Sequence, residues 1–161
     1  MSAVAERTEV EAFVQAFADG WRAPNDVERM VARFTPMLDP AVRLVQPQVP
    51  PLVGREEFRT GFAEPLFALM PDLHGEVEAW AARDDVVFIQ IRLTGTLAGR
   101  PAGFTSCDRI TLRDGLIVER VAFMDPAPLI QAVLTRPGAW PAFARMQAGN
   151  LQRRLRKGRH R

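Results

Sequence analysis

The chain has 161 residues, 47% hydrophobic and 25% charged, with a formal net charge of +2, which describes one globular domain large enough to bury a core. No apolar run approaches the roughly 20 residues of a membrane span, and Met1 to Arg7 lacks the apolar segment of a signal peptide, so a cytoplasmic protein is expected. The single cysteine, Cys107, excludes an internal disulfide and sits in a strand pattern, where it reads as a buried, inert thiol.

In chain order, Glu6 to Asp19 places Val10, Phe13, Val14 and Phe17 on one helical face, and Asp19-Gly20 ends it. Asn25 or Asp26 caps a second helix with Val27, Met30, Val31 and Phe34 inward. Val42 to Gln46 is a short strand closed by Pro47, and the proline-rich run from Gln48 to Gly54 reads as loop. Arg55 to Leu69 is a third amphipathic helix, bent or split at Pro65. Four strands follow, Leu73–Arg83, Val86–Leu97, Ala102–Leu112 and Leu116–Met124, punctuated by Asp84-Asp85, Gly99-Arg100-Pro101 and Asp114-Gly115. A helix from Leu129 to Leu134 precedes a last one that starts near Ala139, docks through Trp140 and runs into a basic tail. The expected organisation is one domain over residues 1–145, with 146–161 completing the last helix and the tail.

That tail, Arg153 to Arg161, holds six Lys or Arg and no acid, leaving 15 basic against 19 acidic groups elsewhere. With no aromatic interleaved for base stacking, it reads as a solvated end rather than a nucleic-acid site. No spacing of His, Cys, Asp and Glu makes a metal site, and there is no glycine-rich phosphate loop, so no metal and no cofactor is expected. His74 falls at a strand start, a rim position.

Arg92, Asp108 and Asp125 are charged residues inside otherwise apolar strands, where burial without a partner costs several kcal/mol, roughly. Side chains alternate along a strand, so parity assigns faces. One face of the predicted sheet collects Phe88, Gln90, Arg92 and Thr94, then Phe104, Ser106 and Asp108, then Phe123 and Asp125. A mixed apolar face with a few convergent polar groups has the composition of a ligand pocket. The competing reading pairs Arg92 with Asp108 or Asp125 for structure alone. The opposite face, with Val87, Ile89, Ile91 and Leu93, is the surface expected to pair two copies as a homodimer.

The helix-helix-strand order, "LDPAVRLVQP" at the first strand, "GREEFRTGF" opening the third helix and "CDRITLRDGLIVERVAFMD" as the final hairpin resemble the nuclear transport factor 2-like superfamily, in its SnoaL-like branch. The resemblance implies an α+β fold: a cone-shaped, curved antiparallel sheet wrapped around N-terminal helices, enclosing a cavity. Against limonene epoxide hydrolase and its Asp–Arg–Asp water relay, Arg92 matches the arginine and Asp125 the second aspartate, while Thr94 replaces the first. Against ketosteroid isomerase, Gln46 replaces the base, Asp108 matches the acid of the oxyanion hole, and there is no tyrosine. The resemblance to SnoaL-type cyclases asks only for an acid in an apolar cavity. It implies a cofactor-independent acid–base enzyme acting on a small, lipophilic, oxygenated molecule. In that expectation Asp125 transfers the proton, Arg92 orients it and Asp108 is a second acid. Gln46, Gln90, Thr94, Phe88, Phe104, Ser106 and Phe123 line the site. The alternative is a non-catalytic binding or dimerisation module of the same fold.

Overall fold

The computed structural model describes residues 3–158, with side chains from residue 7 onward. Helix α1 (Ala3–Trp21) and helix α2 (Val27–Phe34) pair through the apolar stripes their sequences carry. Asp26 is the cap of α2: its Oδ1 accepts the Arg29 N–H at 2.8 Å, meeting one of the donors a helix start leaves open. Asn25 turns the other way, and its Nδ2 donates to the Gly20 carbonyl at 3.2 Å. α1 runs through Gly20 rather than ending there. The glycine is needed for packing, because a Cβ would lie 2.3 Å from the Phe34 ring. That ring meets Phe17 edge-on at 5.5 Å and Trp21 at 6.0 Å.

Strand β1 (Leu38–Gln46) turns back into β2 (Val49–Val53) as an antiparallel hairpin. The proline run expected to be loop is thus partly strand. Pro50 and Pro51 cannot donate to a ladder, and β2 is an edge strand, the place where that loss is tolerated. The third helix is split as Pro65 requires: α3 (Gly54–Phe58), a π-helical segment over Arg59–Ala63, then α4 (Glu64–Leu69). Proline has no N–H to continue the ladder, and the widened turn precedes it directly.

The meander comprises β3 (His74–Arg83), β4 (Val86–Leu97), β5 (Arg100–Arg113) and β6 (Leu116–Met124). Asp114 (φ 52°) and Gly115 (φ 75°) make the last turn, as their sequence signals. The β4–β5 turn falls on Ala98 (φ 49°) and Gly99 (φ 75°), a step earlier than the Arg100-Pro101 reading. The six strands form one curved, open sheet in the order β2-β1-β6-β5-β4-β3. All neighbours are antiparallel except β1 and β6, which run parallel because two helices and the meander separate them in the chain. Helix α5 (Ala127–Leu134) and helix α6 (Trp140–Gly158) close the molecule.

Val87, Ile89, Ile91, Leu93 and Leu97 of β4 are buried in the core with the helices. They are the inner face, not an outer dimer face. This corrects the parity assignment for β4: Phe88, Gln90, Arg92 and Thr94 point outward and are exposed. The basic end is also not free among the described residues. Arg153 donates to the Thr60 carbonyl at 2.8 Å, Arg154 to that of Gln48 at 3.4 Å, and Lys157 to that of Pro51. Arg159, His160 and Arg161 lie outside the described residues. No helix among the described residues is long and apolar enough to cross a membrane.

Candidate functional site

Pairing between β5 and β6 sets the central geometry. Asp108 lies opposite Ala122 and Ile110 opposite Arg120, so Arg120 is diagonal to Asp108 on the inner face, within reach of a long side chain. Arg120 Nε donates to Asp108 Oδ2 at 2.6 Å. Ser106, one alternation earlier on β5, donates its hydroxyl to Asp108 Oδ1 at 2.7 Å. The Asp108 side chain is fully buried and that of Arg120 is 10% exposed. The Arg120 guanidinium carbon sits 5.1 Å above the Phe62 ring, which the π-helical segment presents to it.

Ser106 and Arg120 line an apolar cavity of about 120 Å³, with Asp108 behind them. Its walls come from every layer: Trp21 of α1, Phe62, Pro65, Leu66 and Leu69 of the split helix, Leu93 and Phe104 of the sheet, Gln46 and Gln48 of the β1–β2 hairpin. α5 and α6 supply the remaining wall through Leu129, Ile130, Phe143, Met146, Gln147 and Asn150. Arg120 is the one ionisable side chain in this lining. Two lining residues hold buried donors that find no hydrogen-bond partner among the described residues, Trp21 Nε1 and Asn150 Nδ2. An unmet buried donor costs about 1–3 kcal/mol, so each is an unfavourable feature of the packing around the cavity.

Of the residues expected at the site, the structure brings Ser106, Phe104 and Gln46 to the cavity wall and Asp108 behind it, bonded to Ser106 and Arg120. It places Arg92, Phe88, Gln90, Thr94, Phe123 and Asp125 on the outer face or its rim. Arg92 pairs with Glu78 on the neighbouring strand, and Gln90 donates to the same carboxylate at 2.9 Å. Gln90 and Arg92 together hold the Glu78 carboxyl below its usual range. Thr94 Oγ1 and His74 Nε2 lie 3.2 Å apart in a hydrogen bond at the rim. Asp125 is exposed and accepts the Ala127 N–H at 2.9 Å, starting α5. Arg92 and Asp125 therefore do not form a water relay inside the cavity. A shallow outer depression holds Gln90, Cys107, Phe123 and Asp125.

The sequence profile of the SnoaL-like domain matches residues 10–120, more than half of the chain. The chain belongs to this SnoaL-like family. Among solved structures it is similar to a protein from Jannaschia sp. CCS1 provisionally described as a SnoaL-like polyketide cyclase, at 25% identity and a TM-score of 0.62, over 81% of this chain and 92% of that one. It is also similar to a provisionally described polyketide cyclase from Bacillus cereus ATCC 10987, at 21% identity and a TM-score of 0.63, over 82% of each chain. A nuclear transport factor 2-like protein of unknown function from Burkholderia pseudomallei K96243 matches at 16% identity and a TM-score of 0.64, over 74% of this chain and 95% of that one. These likenesses establish the curved-sheet fold. No curated protein matches the sequence.

Arg120 is the residue that sequence reasoning passed over in this SnoaL-like domain. Alternation along β6 sets Arg120 with Ala122 against Phe123 and Asp125, and with Phe123 and Asp125 taken as the pocket side Arg120 reads as outer; the structure reverses this, burying Arg120 and Ala122 and exposing Phe123. The usable signal lay in β4, whose odd positions are wholly apolar and must face the core. Pairing then sets Ile89 opposite Asp108 and carries Asp108 inward with it.

Proposed function

We propose that this SnoaL-like domain is a cofactor-independent acid–base enzyme, with Ser106, Asp108 and Arg120 as its working residues and a small, lipophilic carbonyl compound as its substrate. The observation that supports this reading is the buried Asp108–Arg120 pair joined to an apolar cavity by the Ser106 hydroxyl. A buried ion pair is costly to keep relative to apolar packing, and one that borders a cavity is suited to chemistry there.

The step that fits is removal of a proton from the carbon beside a carbonyl. Ser106 Oγ takes the C–H proton while its own hydroxyl proton passes to Asp108 Oδ1. The C–H electron pair moves into the enolate. Asp108 loses its charge as the enolate gains one, so Arg120 retains a negative partner throughout, in a dry site where such stabilisation is strongest. Cyclisation and isomerisation both begin with this step.

The test is exchange of the methyl protons of acetophenone for deuterium in D2O, followed by NMR. The wild-type protein accelerates exchange above buffer, and Asp108→Asn loses that acceleration by about 100-fold or more. Ser106→Ala keeps the ion pair and removes the link to the cavity, and it loses the acceleration as well. Exchange at the buffer rate with wild-type protein contradicts the reading and favours a binding module. We further propose that the partner is a second copy meeting this one on the outer sheet face, where Phe88 is 42% and Phe123 is 56% exposed.

A further inference from the structure

Every Asp and Glu of the chain, 19 in all, lies at or before Asp125. Beyond it the described chain holds Arg136, Arg145, Arg153, Arg154, Arg156 and Lys157 with no acid among them, and all but Arg136 belong to α6. Arg153, Arg154 and Lys157 donate to carbonyls of the body. Arg145 and Arg156 are exposed and have no partner among the described residues. Arg156 bonds neither carboxylate of the cleft it shares with Glu56 and Glu57.

The same helix carries an apolar stripe that faces away from the body. Phe143, Met146 and Asn150 look inward onto the cavity. Trp140, Ala144, Ala148, Leu151 and Leu155 recur at steps of four, four, three and four, which keeps them on one side of a helix with about 3.6 residues per turn. All five are exposed, Trp140 at 51% and both leucines beyond half. The Trp140 Nε1 donates to the Val133 carbonyl at 2.9 Å, which holds the indole in place with its apolar body open. The five line neither the cavity nor the clefts beside α6, so the stripe is a convex ridge. By the same helical spacing Arg154 runs along one flank, and Arg145 and Arg156 along the other.

We propose that the outer face of α6 lies against an anionic lipid surface, with the Trp140–Leu155 ridge at the acyl boundary and Arg145, Arg154 and Arg156 among the headgroups. No helix among the described residues can span a membrane, so α6 lies in the interface. Charge disfavours a second copy here, since two such faces set cation against cation. Shape disfavours a protein groove: half of α6 is already packed on the body, and a groove grips a helix by more than one exposed ridge. A bilayer yields around half a helix. A nucleic acid engages the arginines and leaves both leucines in water. The attachment does not depend on the chemistry in the cavity.

The test is co-sedimentation of the full chain with vesicles of phosphatidylcholine, alone or with about 30% phosphatidylserine, at about 0.1 M salt. Wild-type protein binds the anionic vesicles at least about tenfold tighter than the neutral ones. Its tryptophan emission moves to the blue on binding, a shift that Trp140→Phe removes. Arg145→Gln with Arg156→Gln weakens anionic binding by about tenfold or more. Leu151→Gln with Leu155→Gln does the same, with the far-ultraviolet circular dichroism of the wild type kept as the check on folding. Equal binding to both vesicles, or binding to neither, overturns the proposal. Binding that survives the leucine pair is adsorption of charge on charge, and it overturns the inserted ridge. Binding of polyglutamate or of a DNA duplex at the same salt, without vesicle binding, gives the face to another partner and overturns the proposal as well.

Discussion

Asp108 and Asp125 are both aspartates at the β5–β6 hairpin, and their partners separate them. Asp125 accepts one backbone N–H at the start of α5 and is open to water. Asp108 accepts from Ser106 and Arg120 with no solvent contact. Removing one member of a buried pair leaves the other uncompensated, so Asp108→Asn is expected to destabilise the fold by about 3–5 kcal/mol. Asp125→Asn and Arg92→Ala are exposed changes and cost at most about 1 kcal/mol each. Urea unfolding midpoints check this, and equal losses for Asp108→Asn and Asp125→Asn would contradict it. Ser106→Ala is the milder probe, since the Arg120 bond to Asp108 survives it. The sequence put Asp108 and Ser106 on one mixed face with Arg92 and Asp125, and the structure turns only the first two inward. The strand alternation of β4 forbids Arg92 a place beside them.

At the scale of elements, α6 is the wall that carries Asn150: Ala142, Phe143 and Met146 pack its first half on the core, and its second half is held by polar contacts. Leu151 and Leu155 are exposed at 58% and 60%, while Arg153, Arg154 and Lys157 donate to carbonyls of the split helix and the β1–β2 hairpin. The basic end that reads as a solvated tail is, up to Gly158, a set of clamps. Composition cannot reveal this, because the acceptors are backbone carbonyls with no sequence signature. Arg153→Ala is expected to cost about 1 kcal/mol locally and to raise amide exchange around Asn150 about fivefold, with β5 unchanged. Unaltered exchange in α6 would show that the clamp does not hold the wall. Other elements were legible for local reasons: of the two caps offered for α2 Asp26 is the one used, of a bend or a split before Pro65 the helix splits, and Asp114-Gly115 turns the last hairpin. β2 was hidden because prolines normally exclude strand, and only its edge position admits them.

The whole molecule is a curved sheet with two different faces. The inner face with the helices encloses the cavity and the Ser106–Asp108–Arg120 set. The outer face leaves Phe88 and Phe123 in water beside Arg109 and Val121, a surface suited to a second copy. Sedimentation of Phe88→Asp/Phe123→Asp against the wild type is expected to show a dimer turned monomer, and two monomers would refute it. The fold class and family were legible from element order and the final hairpin. The face that lines the cavity was not, because a mixed strand face can be either a pocket lining or a wet surface, and only pairing with a wholly apolar neighbour decides. The most direct measurement is therefore deuterium exchange into acetophenone by Ser106→Ala and Asp125→Asn side by side. Ser106→Ala is expected to fall to the buffer rate while Asp125→Asn keeps the wild-type rate. The reverse result would place the chemistry on the outer face and contradict the role of Ser106.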